Sequence, residues 1–314
     1  DSIGVEDLAS NDIEVISFIY NIPLWLIDLW MGEFGRDKTE DLCAWFNQQP
    51  KLTARINTIL IDIPQCLTLL KEQGWDVSQD SNYKDIIYIN SHRGSLEKSD
   101  AVIKGYITFM DKASMLVARL VNPQPGERVL DCCAAPGGKS MYMAALMDNT
   151  GSLMSCDIHE HKIALMESNA QRLGISIVQT KVQDATELPS AWKSYFDRVL
   201  VDVPCSGLGI LQKKLDMRWR KDESTLSELP PLQLAILERA AMTVKEKGYL
   251  VYSTCTLNYK ENEDVVEAFL QKHKEFSIVP VGADFPLKSN NGMITTYPPT
   301  DDMDGFFMVK MQRI

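Results

Sequence analysis

From residue 128 to the C-terminus, short apolar runs alternate with longer segments of helical spacing, and this alternation restricts the fold more than any other feature of the chain. The runs at 128–132, 152–156, 176–181, 198–201 and 249–252 predict strands, and 138–147, 160–173, 231–247 and 260–272 predict helices. Strands separated by helix-length crossovers lie parallel in one sheet with helices on both faces, so the expected fold class is α/β with a mostly parallel sheet. Alternation over 306–311 predicts a final antiparallel strand. Earlier residues follow a different pattern. The apolar stretch 14–30 predicts helix interrupted at Asn21-Ile22-Pro23, a second helix spans 37–48, and strands at 52–57 and 86–89 flank a helix at 62–73. The expected organisation is a small α+β module over 1–103 followed by the α/β domain over 104–314.

A turn rich in small residues, Cys133-Ala134-Ala135-Pro136-Gly137-Gly138-Lys139, separates the first strand of the α/β domain from its first helix. Glycines there let the backbone approach a ligand, and a helix N-terminus favours polar or anionic groups. Gly138-Lys139-Ser140 imitates the end of a phosphate-binding loop, but the required first glycine is Cys133, and no G-x-G-x-x-G is present. A nucleoside-type cofactor such as S-adenosylmethionine and a plain tight turn both remain open. Three acids weigh toward the cofactor. Asp157 follows the second strand about twenty residues after the glycines, Asp184 the third and Asp202 the fourth, all at the edge where open α/β sheets bind ligands. Singly, each is more simply a solvated loop acid or helix cap.

Composition narrows the partners. A chain of 314 residues with 45% hydrophobic content builds one large or two modest cores, and no apolar run reaches the length of a membrane span. The net charge is −11, with residues 1–103 at −9 and the remainder at −2, so nucleic-acid contact has to be local. Seven cysteines without short paired spacings point to reduced thiols, a cytoplasmic location and no zinc knuckle or other metal site. The first residue is Asp1 rather than Met, which fits a fragment or a processed form.

Together, Asp131-Cys-Cys-Ala-Ala-Pro-Gly-Gly-Lys139, Asp202-Val-Pro-Cys205-Ser-Gly207 and Tyr252-Ser-Thr-Cys255 resemble the RNA cytosine-5 methyltransferases of the NOL1/NOP2/Sun family, most closely its bacterial Sun (Fmu) branch acting on small-subunit ribosomal RNA. Ile22-Pro-Leu-Trp25, Arg55-Ile-Asn57, Met217-Arg-Trp219 and Asp304-Gly-Phe-Phe307 extend the likeness over nearly the whole chain. The resemblance implies a class I methyltransferase (Rossmann-like) core behind a small RNA-binding module, S-adenosyl-L-methionine as cofactor, ribosomal RNA as partner and a monomer. It places the cofactor on Cys133–Lys139, its ribose on Asp157, its adenine side on Asp184, and Asp202 between the methionine end and the target base, within reach of Lys139. That branch usually carries a further N-terminal helical domain, which makes a missing domain an expectation. Lys214-Leu215-Asp216 and Met110-Asp111-Lys112 depart from the branch's usual Lys/His-Pro-Asp and Gln-Asp-Ala.

The two thiols carry the chemistry. Cytosine C5 is a poor nucleophile, and a thiolate adding to C6 makes C5 able to attack a sulfonium methyl. One cysteine suffices for attack and a second can help release product. DNA enzymes use the cysteine of a Pro-Cys pair, which would be Cys205, whereas the RNA family's pattern assigns attack to Cys255 and release to Cys205. Cysteine is more often an inert core residue, the reading given to Cys43, Cys66, Cys132 and Cys156. For RNA contact, the segment after Cys205 holds Lys213, Lys214, Arg218, Trp219 and Arg220, cations interleaved with an aromatic, and Arg55 is a further candidate. Duplex DNA as substrate and a catalytically silent ribosomal RNA assembly factor are the rival functions.

Overall fold

The computed structural model describes residues 12–221 and 223–314. Helices α1 (Asp12–Tyr20), α2 (Leu24–Phe34) and α3 (Arg36–Phe46) come first, α1 and α2 parting at Asn21 and Pro23. Then follow β1 (Leu52–Ile56), α4 (Ile63–Glu72), β2 (Asp76–Gln79), β3 (Ile86–Ser91), α5 (Asp100–Ile103) and β4 (Ile107–Phe109). The four strands form an antiparallel sheet in the order β2-β3-β1-β4, with a core of Ile56, Cys66, Leu70, Trp75 and Ile87 under α4.

The rest of the chain builds the larger sheet. Its elements are α6 (Lys112–Val121), β5 (Arg128–Asp131), α7 (Gly138–Leu146), β6 (Ser152–Asp157), α8 (Glu160–Arg172), β7 (Val178–Val182) and β8 (Phe196–Asp202). They continue with α9 (Met217–Arg220), α10 (Glu223–Ala241), β9 (Val244–Thr254), α11 (Glu263–Lys272), β10 (Phe276–Ile278), β11 (Met293–Thr295), α12 (Pro298–Asp301) and β12 (Phe307–Arg313). The strand order is β10-β12-β9-β8-β5-β6-β7, with β11 also paired to β12. Strands β5 to β9 run parallel and β12 lies antiparallel on β9, as the alternation in the sequence predicts. One face is covered by α6, α7 and α8 through Leu116, Met143 and Met166, the other by α10 and α11 through Leu237 and Val266. The order reverses between β5 and β8, so the carboxyl ends of these strands flank a crevice where ligands of such sheets bind.

Three expectations change. The small sheet does not stop at residue 103, because β4 pairs with β1 and carries the module to Phe109. Nor do α1–α3 belong to that module's core. Leu26, Trp30, Leu42 and Phe46 bury themselves against Leu208, Leu211, Leu226 and Leu257, so these helices brace the loops of the large domain. The helix expected over 231–247 begins earlier, runs through Pro230-Pro231 and ends at Ala241, since 244–247 pair as strand. The sequence reading also passed over α6, a fully packed helix that Asp111 caps with 2.8 Å acceptance of the Ala113 N–H and Asn122 closes at φ 50°.

The small module is tied to the large domain through a buried amide. Asn57 donates from Nδ2 to the carbonyls of Gly105 (3.0 Å) and Leu173 (2.9 Å), while its Oδ1 accepts the Ile59 N–H. An unpaired buried carbonyl costs about 1–3 kcal/mol. Asn57→Ala should therefore lower unfolding stability by roughly 2 kcal/mol. The urea midpoint reads this, and an unchanged midpoint would show that the tie contributes nothing.

Candidate active site

The turn after β5 is built for close approach. Gly137 sits at φ +98°, and a Cβ there would stand 3.1 Å from Met166 Cγ, so a side chain would be both strained and crowded. The Ala134 N–H donates to the Cys156 carbonyl at 2.7 Å, lacing the turn to β6. Beneath it, buried Asp131 accepts the Ser140 hydroxyl on Oδ2 at 2.7 Å, and Ser155 donates to Ser140 at 2.8 Å. Burial pushes the Asp131 carboxyl up to about 7 against the Ser140 hydrogen bond. Its other oxygen, Oδ1, is buried without a partner among the described residues. A buried acceptor without a donor is costly, and a cationic N–H group entering the crevice would satisfy it. Asp157, nearly buried at the end of β6, accepts the His159 N–H at 3.0 Å, with Lys162 Nζ at 3.7 Å. Asp184 follows β7 and accepts the Thr186 N–H and hydroxyl at 2.8 and 2.7 Å, bonds that hold its carboxyl below the usual range. An orphaned acceptor at Asp131, a glycine cradle and the half-free acids beyond it fit a nucleoside cofactor bearing an ammonium group.

The two cysteines meet. Cys205 follows β8 and Cys255 follows β9, neighbouring parallel strands, and their Sγ atoms are 3.2 Å apart. The Cys255 N–H also points at Cys205 Sγ, at 3.3 Å. The hydrogen bond to Cys255 first, then burial, raises the Cys205 thiol well above its ordinary value. On the other side, Lys139 Nζ lies 2.7 Å from Asp202 Oδ2 and 5.3 Å from the centre of the Phe306 ring. Asp202 Oδ1 accepts the Ser253 hydroxyl at 2.7 Å. The interaction with Asp202 overcomes burial and raises the Lys139 ammonium, which stays charged.

One residue that organises this pair escaped the sequence reading. Glu261 is fully buried, and its carboxylate accepts the Ser206 N–H (2.9 Å), Gln233 Nε2 (2.9 Å) and Asn258 Nδ2 (2.9 Å). Its backbone carbonyl accepts the Tyr252 hydroxyl at 2.6 Å. Gln233 also holds the Pro204 carbonyl, and Asn262 takes the Thr254 hydroxyl while donating to Thr256. The loop bearing Cys205 and the loop bearing Cys255 are thus hung on one carboxylate and three amides. The run Asn258-Tyr-Lys-Glu-Asn262 just after Cys255 was the available signal, but polar residues after a strand read equally well as a loop.

The basic segment divides. Lys213 is engaged by Asp111 (2.5 Å) and Asp304 (2.8 Å), and those two acids outweigh burial to keep it charged. Arg218 is buried, donating to the Phe46 carbonyl at 2.6 Å and to Asn47 Oδ1 at 2.8 Å. Arg55 is fully buried between the small sheet and α7, its guanidinium 5.2 Å from the centre of the Tyr142 ring. Arg55 and Arg218 therefore cannot reach RNA phosphates, because both are buried, Arg55 with no hydrogen-bond partner for its guanidinium among the described residues. Lys214, Trp219 and Arg220 remain exposed. Among the described residues, no single helix is long and apolar enough to cross a membrane and no cluster of three metal-ligating side chains exists.

Residues 118–312 match the family model described as 16S rRNA methyltransferase RsmB/F, and 22–94 match the ferredoxin-like domain of the same group. The chain belongs to the RsmB/F family. It is 36% identical over 297 residues to the probable ribosomal RNA small subunit methyltransferase B of Bacillus subtilis, covering 93% of this chain and 66% of that one. The same-named Synechocystis protein is 36% identical over 300 residues, covering 94% and 67%. The chain thus spans about two thirds of the length of these relatives. Among solved structures, PH0851 matches with a TM-score of 0.91 at 32% identity, over 97% of this chain and 69% of that one. NSun6 from Pyrococcus horikoshii, solved with SFG, shares the fold with a TM-score of 0.82 at 21% identity over 93% and 98%. The architecture is that of the class I methyltransferases, whose methyl donor is S-adenosyl-L-methionine.

Two outcomes are expected of this geometry. A carboxyl raised above its usual value makes the native state hold a proton that the unfolded chain loses, so stability falls as pH rises from about 4 to about 7. Asp131→Asn should reduce that slope, leaving the part due to Glu33 and Asp304, which burial also pushes up to about 7. Cofactor affinity should rise with pH through about 7 and lose this dependence in Asp131→Asn. Calorimetry at several pH values decides the point, and a flat profile in the unaltered protein would remove Asp131 from the site. Glu261→Gln puts amide donors against donors and should cost roughly 2–3 kcal/mol in urea unfolding. The variant that remains folded should transfer methyl groups more slowly at unchanged cofactor affinity, whereas unaltered turnover would show that the thiols need no such anchor.

Proposed function

We propose that this chain methylates C5 of a cytosine in small-subunit ribosomal RNA, with Cys255 as nucleophile and Cys205 assisting release of the product. The observation that carries the reading is the meeting of two thiols at 3.2 Å beside the Lys139–Asp202 pair, above a cradle fitted to a nucleoside. The named function of the relatives in methylating small-subunit ribosomal RNA supports the substrate. Cys133 to Lys139, Asp157, Asp184 and Asp202 would hold S-adenosyl-L-methionine, with Asp131 as a further acceptor. When bound, the cofactor supplies an electrophilic methyl group on a sulfonium.

Thiolate attack by Cys255 on C6 forms the S–C6 bond and moves the C5–C6 electron pair onto C5. Asp202, held by Lys139 and Ser253, faces the base and polarises its N3 and amino edge for that addition. C5 then takes the methyl group. Transfer of the C5 proton to solvent water returns its electron pair to the C5–C6 bond and expels the Cys255 thiolate. Cys205, 3.2 Å from the departing sulfur, hydrogen-bonds it as it leaves. This division of roles follows the RNA family's pattern rather than the Pro-Cys pattern of the DNA enzymes, because the Thr254-Cys255 segment has no counterpart in the DNA enzymes. A target within a folded RNA is extruded into the crevice before reaction.

Cys255→Ser should abolish turnover and any covalent protein–RNA adduct. Cys205→Ser should still attack and transfer, but accumulate the methylated adduct, visible as a slow band of labelled RNA on denaturing gels. Adduct in Cys255→Ser and none in Cys205→Ser would reverse the roles. Methyl transfer without adduct in both variants would end the covalent reading.

A further inference from the structure

We propose that a trough running from α9, across the corner at 47–51, to the end of β3 holds the unpaired RNA that flanks the target base, by stacking and amide hydrogen bonds more than by phosphate charge. The inference rests on the RNA substrate proposed above and assigns it a second place of contact. Two adjoining cavities make the trough. One, of about 630 Å³, is lined by Tyr20, Gln48, Leu215 and Trp219. The next, of about 660 Å³, is lined by Lys51, Tyr88, Asn90 and His92. Gln49 and Pro50 line both, so the two adjoin at this corner.

Its position follows from the chain that carries it. The Gly209 N–H donates to the Cys255 carbonyl at 3.0 Å, and the Gly305 N–H donates to the Gly209 carbonyl at 2.8 Å. A Cβ on Gly209 would lie 1.8 Å from the Gly305 oxygen, so that contact requires glycine. From there the chain passes Gln212, whose Nε2 holds the Trp45 carbonyl at 3.0 Å, and reaches Arg218, bound to Phe46 and Asn47. The chain that lines the trough is thus hydrogen-bonded to the loop that bears the proposed nucleophile.

Its chemistry is that of a single-strand site. Trp219 is 60% exposed and no aromatic side chain packs on its ring among the described residues, so its face is open for a base to stack on. The exposed Gln48 and Gln49 amides each offer donors and an acceptor, matching the edges of unpaired bases. Duplex RNA hides its base faces and would leave Trp219 uncovered. Charge, in contrast, is mostly spent. At the trough, Lys51 is paired with Asp302, Arg218 is bound to Phe46 and Asn47, and Arg220 meets Asp216 at 3.3 Å, which leaves Lys214 as an exposed cation. Counterion release by phosphate contacts sets the salt dependence of binding, so a trough with this charge balance gives a shallow one.

The test measures fluorescence anisotropy of a fluorescein-labelled single-stranded RNA of mixed sequence, and of the same strand annealed to its complement, with the 314-residue chain. Trp219→Ala should weaken single-strand binding roughly tenfold, the size of one lost stacking contact. Its salt dependence should be unchanged, Trp219→Phe should recover most of the loss, and duplex binding should be weak and indifferent to both changes. Cofactor affinity equal to that of the unaltered protein certifies the fold. Single-strand affinity unaffected by Trp219→Ala, or lost equally for the duplex, overturns the trough even where methyl transfer to ribosomal RNA proceeds. A Trp219-dependent affinity for single strands in a chain that modifies no cytosine upholds the trough and overturns the proposed reaction.

Discussion

A buried carboxylate must find its donors inside the protein, and at Glu261 that requirement organises the whole reactive edge. Three N–H groups from three separate segments, at Ser206, Gln233 and Asn258, converge on it. Each would be an unsatisfied donor if Glu261 moved away, so the loop after β8, the middle of α10 and the loop after β9 are held together. Cys205 sits one residue before Ser206, and Cys255 three before Asn258. Their 3.2 Å approach is a consequence of hydrogen bonds made a few ångströms further in.

The same economy is seen in the cations. In a chain of net charge −11, the basic residues nearest the reactive crevice are largely used as struts. Lys213 spans Asp111 at the head of α6 and Asp304 before β12. Arg218 pins the end of α3, and Lys139 holds Asp202 in place. Fixed, desolvated charges hold geometry well but have little left to offer a polyanion. Recognition by exposed aromatic and amide groups at the trough is consistent with that division.

Much of the architecture was readable from residue patterns. The β5–β9 strands and their helices appear close to where alternation puts them, and Pro23 and Asn21 break the first helix as their backbone preferences require. The glycine turn, the acids after β6, β7 and β8, and both thiols are local signals, each tied to a strand end whose place in a parallel sheet is known in advance. Arg55 and Arg218 went the other way. A cation in a polar sequence neighbourhood gives no sign that a helix or a sheet from elsewhere will cover it, as α7 covers Arg55 and α3 meets Arg218.

By itself, the sequence determined the α/β class and put the glycine turn, the acids and the two thiols at strand ends, because periodicity and strand-end position are properties of short stretches of chain. Only the tertiary structure decided that the two cysteines touch, that α1–α3 belong with the catalytic loops, that Glu261 is the anchor beneath them, and which cations are free. Those facts depend on segments 50 or more residues apart meeting in space. Which of many polar groups lose water and must pair is settled by packing.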